Sequence, residues 1–147
     1  MSAQGNTAVP DNESKPHVAV VRGFYEAVDV PAMLEFLDPQ IEWRGPESLP
    51  WGGTFRGHEG VRKFFAIVAD RIAEARREKQ QYLDAGERVV VLLRSIGRAK
   101  GGTGWDLPEV HVWTVRHGKA VSFDNYVDTA IVLRTLPDMN PHGELER

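Results

Sequence analysis

The chain of 147 residues has no cysteine. That excludes disulfides, thiolate metal ligands and a cysteine nucleophile, and leaves the cellular compartment open on this count. Long apolar runs are also missing: none approaches the roughly 20 residues that a membrane span requires. The opening MSAQGNTAVPDNES lacks the basic-then-apolar layout of a secretory signal, so the expectation is a cytoplasmic protein without membrane contact. Nor is there an excess of either charge. Lys and Arg number 18 against 21 Asp and Glu, for a net charge of −3, and the basic residues are scattered, so no nucleic-acid footprint emerges. The glycines at 52, 53, 57 and 60 in LPWGGTFRGHEGVRKFF match neither GxxxxGK[ST] nor GxGxxG, which removes phosphate-loop chemistry.

What is present is a globular composition, 41% hydrophobic and 27% charged, at a length that suits one domain. Residues 1–14 and 137–147 are small and polar and read as tails, leaving a domain over 15–136. His17 to Val28 has helical spacing, with Val18, Val21, Tyr25 and Val28 on one face. Asp29 is placed to cap a short helix running to Leu37, which Asp38-Pro39 ends. Ile41-Glu42-Trp43 alternates as a strand. After the glycine-rich loop, Val61, Phe64, Phe65, Val68 and Ile72 predict a helix over 58–75. The period then changes to that of strands, over 79–84, 88–98, 110–115 and 120–128. Helices first and an antiparallel meander afterwards is an α+β order.

Within EVHVWTVRHGKAVSFDNYVDT, Arg116-His117-Gly118 predicts a three-residue hairpin loop that pairs Val115 with Lys119. Odd-numbered residues then share a face: His111, Trp113 and Val115 beside Val121, Phe123 and Asn125. A two-residue loop would instead bring His111 beside Ser122 and Asp124, because a one-residue slip exchanges the faces. The favoured register creates an apolar face bearing a histidine and an amide, as a ligand pocket would. The other face, with Val110, Val112, Thr114, Ala120, Ser122 and Tyr126, is too apolar to be fully wet. A second copy of the chain is its expected cover, making a homodimer.

FYEAVD, IEWRGP, LPWGGTFRGHEGVRKFF and GKAVSFDNYVDT together resemble the SnoaL-like branch of the nuclear transport factor 2-like superfamily, over roughly Val18 to Leu136. The resemblance implies an α+β fold in which a cone-shaped curved antiparallel sheet wraps around helices and encloses an apolar pocket, with Trp51 at its mouth. That superfamily includes ketosteroid isomerases, polyketide cyclases and limonene epoxide hydrolases, and its residues carry over unevenly. The isomerase tyrosine lines up near Phe24, the isomerase base falls where Trp43 and Gly45 stand, and its second aspartate matches His111. The cyclase histidine also matches His111, while the cyclase aspartate corresponds to Asn125, which cannot titrate. The hydrolase arginine fits Arg94, but Ile96 and Asn125 stand where its carboxylates would be. A resemblance of fold therefore does not settle a reaction.

The candidates follow. His111 has the pKa range for proton transfer at neutral pH, or else is a core histidine bonded to a neighbour. Asn125 and Arg94 would hold a developing oxyanion beside it, the bland alternatives being an internal hydrogen bond and an outer-rim charge. Phe24, Trp43, Trp51, Phe64, Trp113 and Phe123 would wall a flat apolar ligand or simply form core. Asp128 reads as a helix cap, and Glu47 as a carboxylate at the mouth. Glu109 with His111, and His58 with Glu59, lack a third ligand at a recognisable spacing, so no metal and no cofactor are expected. The function expected is cofactor-independent acid/base chemistry on a small apolar carbonyl or polycyclic substrate: isomerisation, cyclisation or water addition. The alternative is a non-catalytic binder of an apolar metabolite.

Overall fold

The computed structural model describes residues 15–137; the tails expected over 1–14 and beyond Pro137 lie outside the described residues. Helix α1 (Pro16–Glu26) opens on a proline whose fixed φ suits the first turn, and it buries Val18, Val21 and Phe24. Asp29 caps α2 (Val30–Leu34) by accepting the Ala32 N–H at 2.9 Å. That helix stops three residues before the expected Leu37, and Leu37 instead begins strand β1 (Leu37–Gly45), which takes in Asp38-Pro39. Next come β2 (Gly53–Arg56) and α3 (Gly57–Arg71). The predicted helix over 58–75 runs four residues too far, because β3 (Ile72–Ala85) starts directly at the helix cap. Strands β4 (Arg88–Ala99), β5 (Gly104–Arg116) and β6 (Lys119–Val127) complete the meander before α4 (Thr129–Thr135). Asp128 caps α4 through the Ile131 N–H.

The six strands form one curved sheet in the order β2-β1-β6-β5-β4-β3, with β1 and β6 parallel and every other pair antiparallel. It stays open, with β2 and β3 as its edges, so the expected cone is not a closed barrel. Its inner face supplies Trp43, Val91, Trp113 and Phe123 to a core closed by Val18, Val21 and Phe24 of α1 and Val61 of α3.

The hairpin between β5 and β6 differs from its prediction in an instructive way. Arg116 pairs with Lys119, so the loop has two residues, His117 and Gly118, both with positive φ (53° and 78°) as a type I′ turn demands. Alone, that loop would turn His111 and Asn125 to opposite faces. A bulge at Val121 restores the alternation: Val115 pairs with Ala120 and Thr114 with Ser122, leaving Val121 unpaired. Beyond it, His111 pairs with Asn125 and Trp113 with Phe123. The expected face holds for those residues, but Ala120, expected outside, is buried while Val121 is not.

Candidate functional site

Strand alternation puts Glu109, His111 and Trp113 on the inner face of β5, opposite Leu93, Val91 and Val89 of β4. Tyr25, near the C-terminal end of α1, meets them from the helix layer. Four polar contacts follow. Tyr25 Oη lies 2.5 Å from His111 Nδ1, and His111 Nε2 lies 2.6 Å from Glu109 Oε2. Trp113 Nε1 donates to Tyr25 Oη at 3.0 Å, and Asn125 Nδ2 donates to Glu109 Oε2 at 2.9 Å. His111 is 1% exposed and Glu109 7%, so both ends of the imidazole are engaged inside the protein.

The positions of the protons follow from the electrostatics. Burial by itself would raise the Glu109 carboxyl, but the hydrogen bond and charge of His111, the charge of Arg77 and a hydrogen bond from Ser95 hold it below the usual carboxylate range. Glu109 is therefore ionised at neutral pH. Burial lowers His111, and the charge of Arg77 adds to this against the opposing hydrogen bond with Glu109, so the ring is neutral. Burial pushes the Tyr25 phenol well up, so it keeps its proton. Only one arrangement meets all three conditions: Nε2–H donates to Glu109, and Tyr25 O–H donates to the bare Nδ1. The amide of Asn125 is oriented by the same carboxylate, which needs Nδ2 and turns Oδ1 away. Oδ1 is buried and has no hydrogen-bond partner among the described residues.

Two cavities adjoin this relay. The larger, about 140 Å³, is bordered by Glu109, Asn125 and Arg77 and walled by Trp51, Phe64 and Trp105. The smaller, about 60 Å³, reaches Tyr25 and His111 among Phe24, Trp43 and Phe123. Phe65 and Arg77 border both. Trp105 can lie against the sheet because Gly97 is beneath it: a Cβ there would stand 2.4 Å from the indole. Trp51 stacks on Trp105 with ring centres 6.0 Å apart. Its loop turns tightly at Gly52, where a Cβ would collide with the Pro46 carbonyl at 1.6 Å.

Among the expected site residues, His111 and Asn125 do face inward together. Phe24, Trp43 and Phe123 border the smaller cavity, and Trp51 and Phe64 the larger. Trp113 is fully buried core, reaching the relay through its indole N–H. Arg94 is placed differently from the expectation. It pairs with Pro108 on β5 and with Glu78 on β3, which puts it on the outer face, where it donates to Asp106 at 2.6 Å. Arg94 is thus a rim charge and does not reach the cavity. Asn125 also departs from its expected part, because one N–H of its amide is held by Glu109 and the side-chain atom left without any partner among the described residues is an acceptor, which repels an oxyanion. Glu47 is exposed and borders neither cavity.

Three residues of the site were not singled out from the sequence as acid/base or anion-binding groups. Glu109 stands two residues before His111 on the same strand face, where the sequence suggests it only as a metal ligand. Tyr25 was on the predicted buried face of its helix, one position from the Phe24 matched by resemblance. Arg77 gave no signal, since RIAEARREKQ reads as a solvated helix end; it turns inward only because that run is strand β3.

Comparisons with known proteins agree with this architecture. The SnoaL-like domain model matches residues 19–123. A nuclear transport factor 2-like protein of unknown function from Burkholderia pseudomallei is 35% identical, with 83% of this chain and 98% of that one aligned at a TM-score of 0.77. TerC, co-crystallised with polyporic acid, is 29% identical over 82% of this chain and 98% of its own, also at 0.77. A Pseudomonas putida protein provisionally named a polyketide cyclase is 17% identical over 82% and 97%, at 0.69, a likeness of fold alone. No curated protein matches the chain. With its matched span, its open six-stranded sheet and its helices over the inner face, the chain belongs to the SnoaL-like domain family.

Proposed function

We propose that the chain is an acid/base enzyme acting on a small carbonyl or enol compound, with Glu109 as the group that takes and returns the proton. The observation that carries this reading is the buried Glu109–His111 pair, whose carboxylate borders a cavity while its other side is anchored by Tyr25 through the imidazole. An ionised carboxylate beside an apolar cavity is a base held close to a bound substrate. It would remove a proton from the carbon next to a carbonyl, the electron pair moving onto oxygen to form an enolate beside the Arg77 charge. Returning the proton to another carbon isomerises the substrate. Attack of the enolate on a second carbonyl cyclises it, and the same proton then goes to the new alkoxide. His111 has both nitrogens occupied, so it acts through Glu109 as a positioning residue and steadies the carboxylate's charge. A void of about 140 Å³ favours a single ring over a polycyclic substrate, because a cavity of ~150 Å³ holds a benzene.

Exchange of the α-protons of a monocyclic 1,3-diketone in D₂O, followed by proton NMR, tests this without knowledge of the natural substrate. Native protein should accelerate exchange, and Glu109→Gln should slow it by about 100-fold or more. His111→Gln should also slow it and move the acid limb of the pH–rate profile upward, since that limb belongs to a Glu109 carboxyl held low partly by His111. The second reading is a binder of small ring compounds, favoured by the same full occupancy of the imidazole. Binding of the diketone with no acceleration over buffer would establish it in place of the enzyme.

A further inference from the structure

Two residues that border the larger cavity each carry a polar group with no protein partner among the described residues. One is the Arg77 guanidinium. Its neighbour Arg76 is paired with Glu78 at 2.8 Å, but among the described residues no hydrogen bond or ion pair holds Arg77. Its charge nonetheless acts on Tyr25, Glu109 and His111, and it borders both cavities. The other is Asn125 Oδ1, a buried acceptor whose orientation is set by Glu109. An unmatched buried acceptor is costly, and a ligand O–H or N–H relieves that cost on binding. An unpaired guanidinium presents a planar fork of donors that matches a carboxylate or enolate in two parallel bonds.

We propose that the larger cavity takes a small anionic ring compound, with its carboxylate or enolate on Arg77 and a hydroxyl or N–H donor on Asn125 Oδ1. It rests on the acid/base reading only in taking this ligand as the substrate. The ionised Glu109 would repel an anion entering alone, so Arg77 is what makes the site selective for one. The donor at Asn125 sets which way round the ring lies, which in turn fixes the carbon presented to Glu109. Arg77 lies on the edge strand and Asn125 on β6, so the two ends of the ligand are read by strands three places apart in the sheet.

Titration calorimetry with benzoate, benzamide, and 3- and 4-hydroxybenzoate tests both contacts. Native protein should bind benzoate about tenfold or more tighter than benzamide, as a charge-assisted pair requires, and added salt should narrow the gap. Arg77→Gln should abolish the preference, Arg77→Lys should keep part of it, and Arg116→Gln, on the distant hairpin, should leave it unchanged. One of the hydroxybenzoates should bind several-fold tighter than benzoate, an advantage lost in Asn125→Ala. Circular dichroism of each variant verifies its fold. Equal affinity for benzoate and benzamide, a preference that survives in Arg77→Gln, or no saturable benzoate binding up to its solubility would each overturn the proposal. Glu109→Gln separates the two readings. It should retain the preference for benzoate even as it loses exchange, whereas exchange on neutral diketones without any preference for benzoate sinks the anion site alone.

Discussion

An imidazole and a carboxylate taken almost wholly out of water each lose hydration worth several kcal/mol, so their protons must sit where the acceptors need them. This makes the relay a sensor of pH in stability as well as in rate. The folded state lowers His111 from 6.5, so on acidification the unfolded chain takes the proton first. The contribution from the neutral ring is therefore present above pH 6.5 and is lost as pH falls towards the folded value. Tyr25 is shifted the opposite way, up from 10.0, so its contribution is present below pH 10 and fades as pH rises above it. Melting temperature against pH should form a plateau with both shoulders. His111→Gln should flatten the shoulder that begins below pH 6.5, leaving the more acidic limb that belongs to Glu109, and Tyr25→Phe should remove the alkaline one. Tyr25→Phe should also cost about 1–3 kcal/mol at neutral pH, because it strands the Trp113 N–H and His111 Nδ1 together. An unchanged alkaline shoulder in that variant would refute the assignment. His111 and Asn125 were legible at this scale because strand alternation is a short-range rule. Tyr25 was less so: neighbouring helical residues point about 100° apart, and the choice between Phe24 and Tyr25 is made by the packing of α1 on the sheet.

At the scale of elements, the hairpin between β5 and β6 decides whether there is a site at all. A two-residue turn and one extra residue act as two slips of register that cancel, and the inner face is preserved only if both are present. Deleting Val121 should therefore be far worse than deleting an ordinary half-buried valine. The shortened strand must either turn Phe123 and Asn125 outwards or break its pairing with His111. The expected result is loss of cooperative melting, or a folded protein without α-proton exchange; Val121→Ala should keep both melting and exchange. The turn adds a check: Gly118→Ala should destabilise by about 1–2 kcal/mol because its φ of 78° is one that L side chains rarely adopt, and urea unfolding would measure it. The loop length was misread because Arg-His-Gly fits a three-residue loop by composition, and bulges leave little trace in sequence. The start of β3 was hidden for a different reason. IAEARREKQ is rich in helix formers, and only pairing with β4 along its whole length overrides that preference. The missed strand start and the missed Arg77 are one event, since only the strand register puts this exposed arginine at the border of the cavities.

Across the whole molecule, the sheet's outer face is left to account for. Two cross-strand rows there are apolar: Leu83, Val90 and Val112 in one, Leu92, Val110 and Tyr126 in the other. Leu83, Leu92 and Tyr126 are 37%, 37% and 58% exposed, large side chains with no helix over them among the described residues. Ion pairs flank the band, Arg44 with Asp124 on one side and Arg94 with Asp106 on the other, each at 2.6 Å. We propose that a second copy covers this band. A two-fold axis through its centre sets apolar row against apolar row and lets the paired charges at the margin face their opposites, as a self-complementary surface requires. A partner of one net charge would leave half of that rim unmatched. Sedimentation velocity should find a dimer, and Leu92→Arg, which adds like charges across the axis, should yield monomers with an unchanged melting curve at low concentration. A single chain at every soluble concentration of the native protein would defeat this assignment of the face. Exchange activity in the Leu92→Arg monomer then measures how far the site depends on the partner. The hydrogen bonds that join Tyr25, His111, Glu109 and Asn125 form within one chain, so the monomer should retain proton exchange, and any loss should come from loosening of the sheet that carries Glu109 and His111.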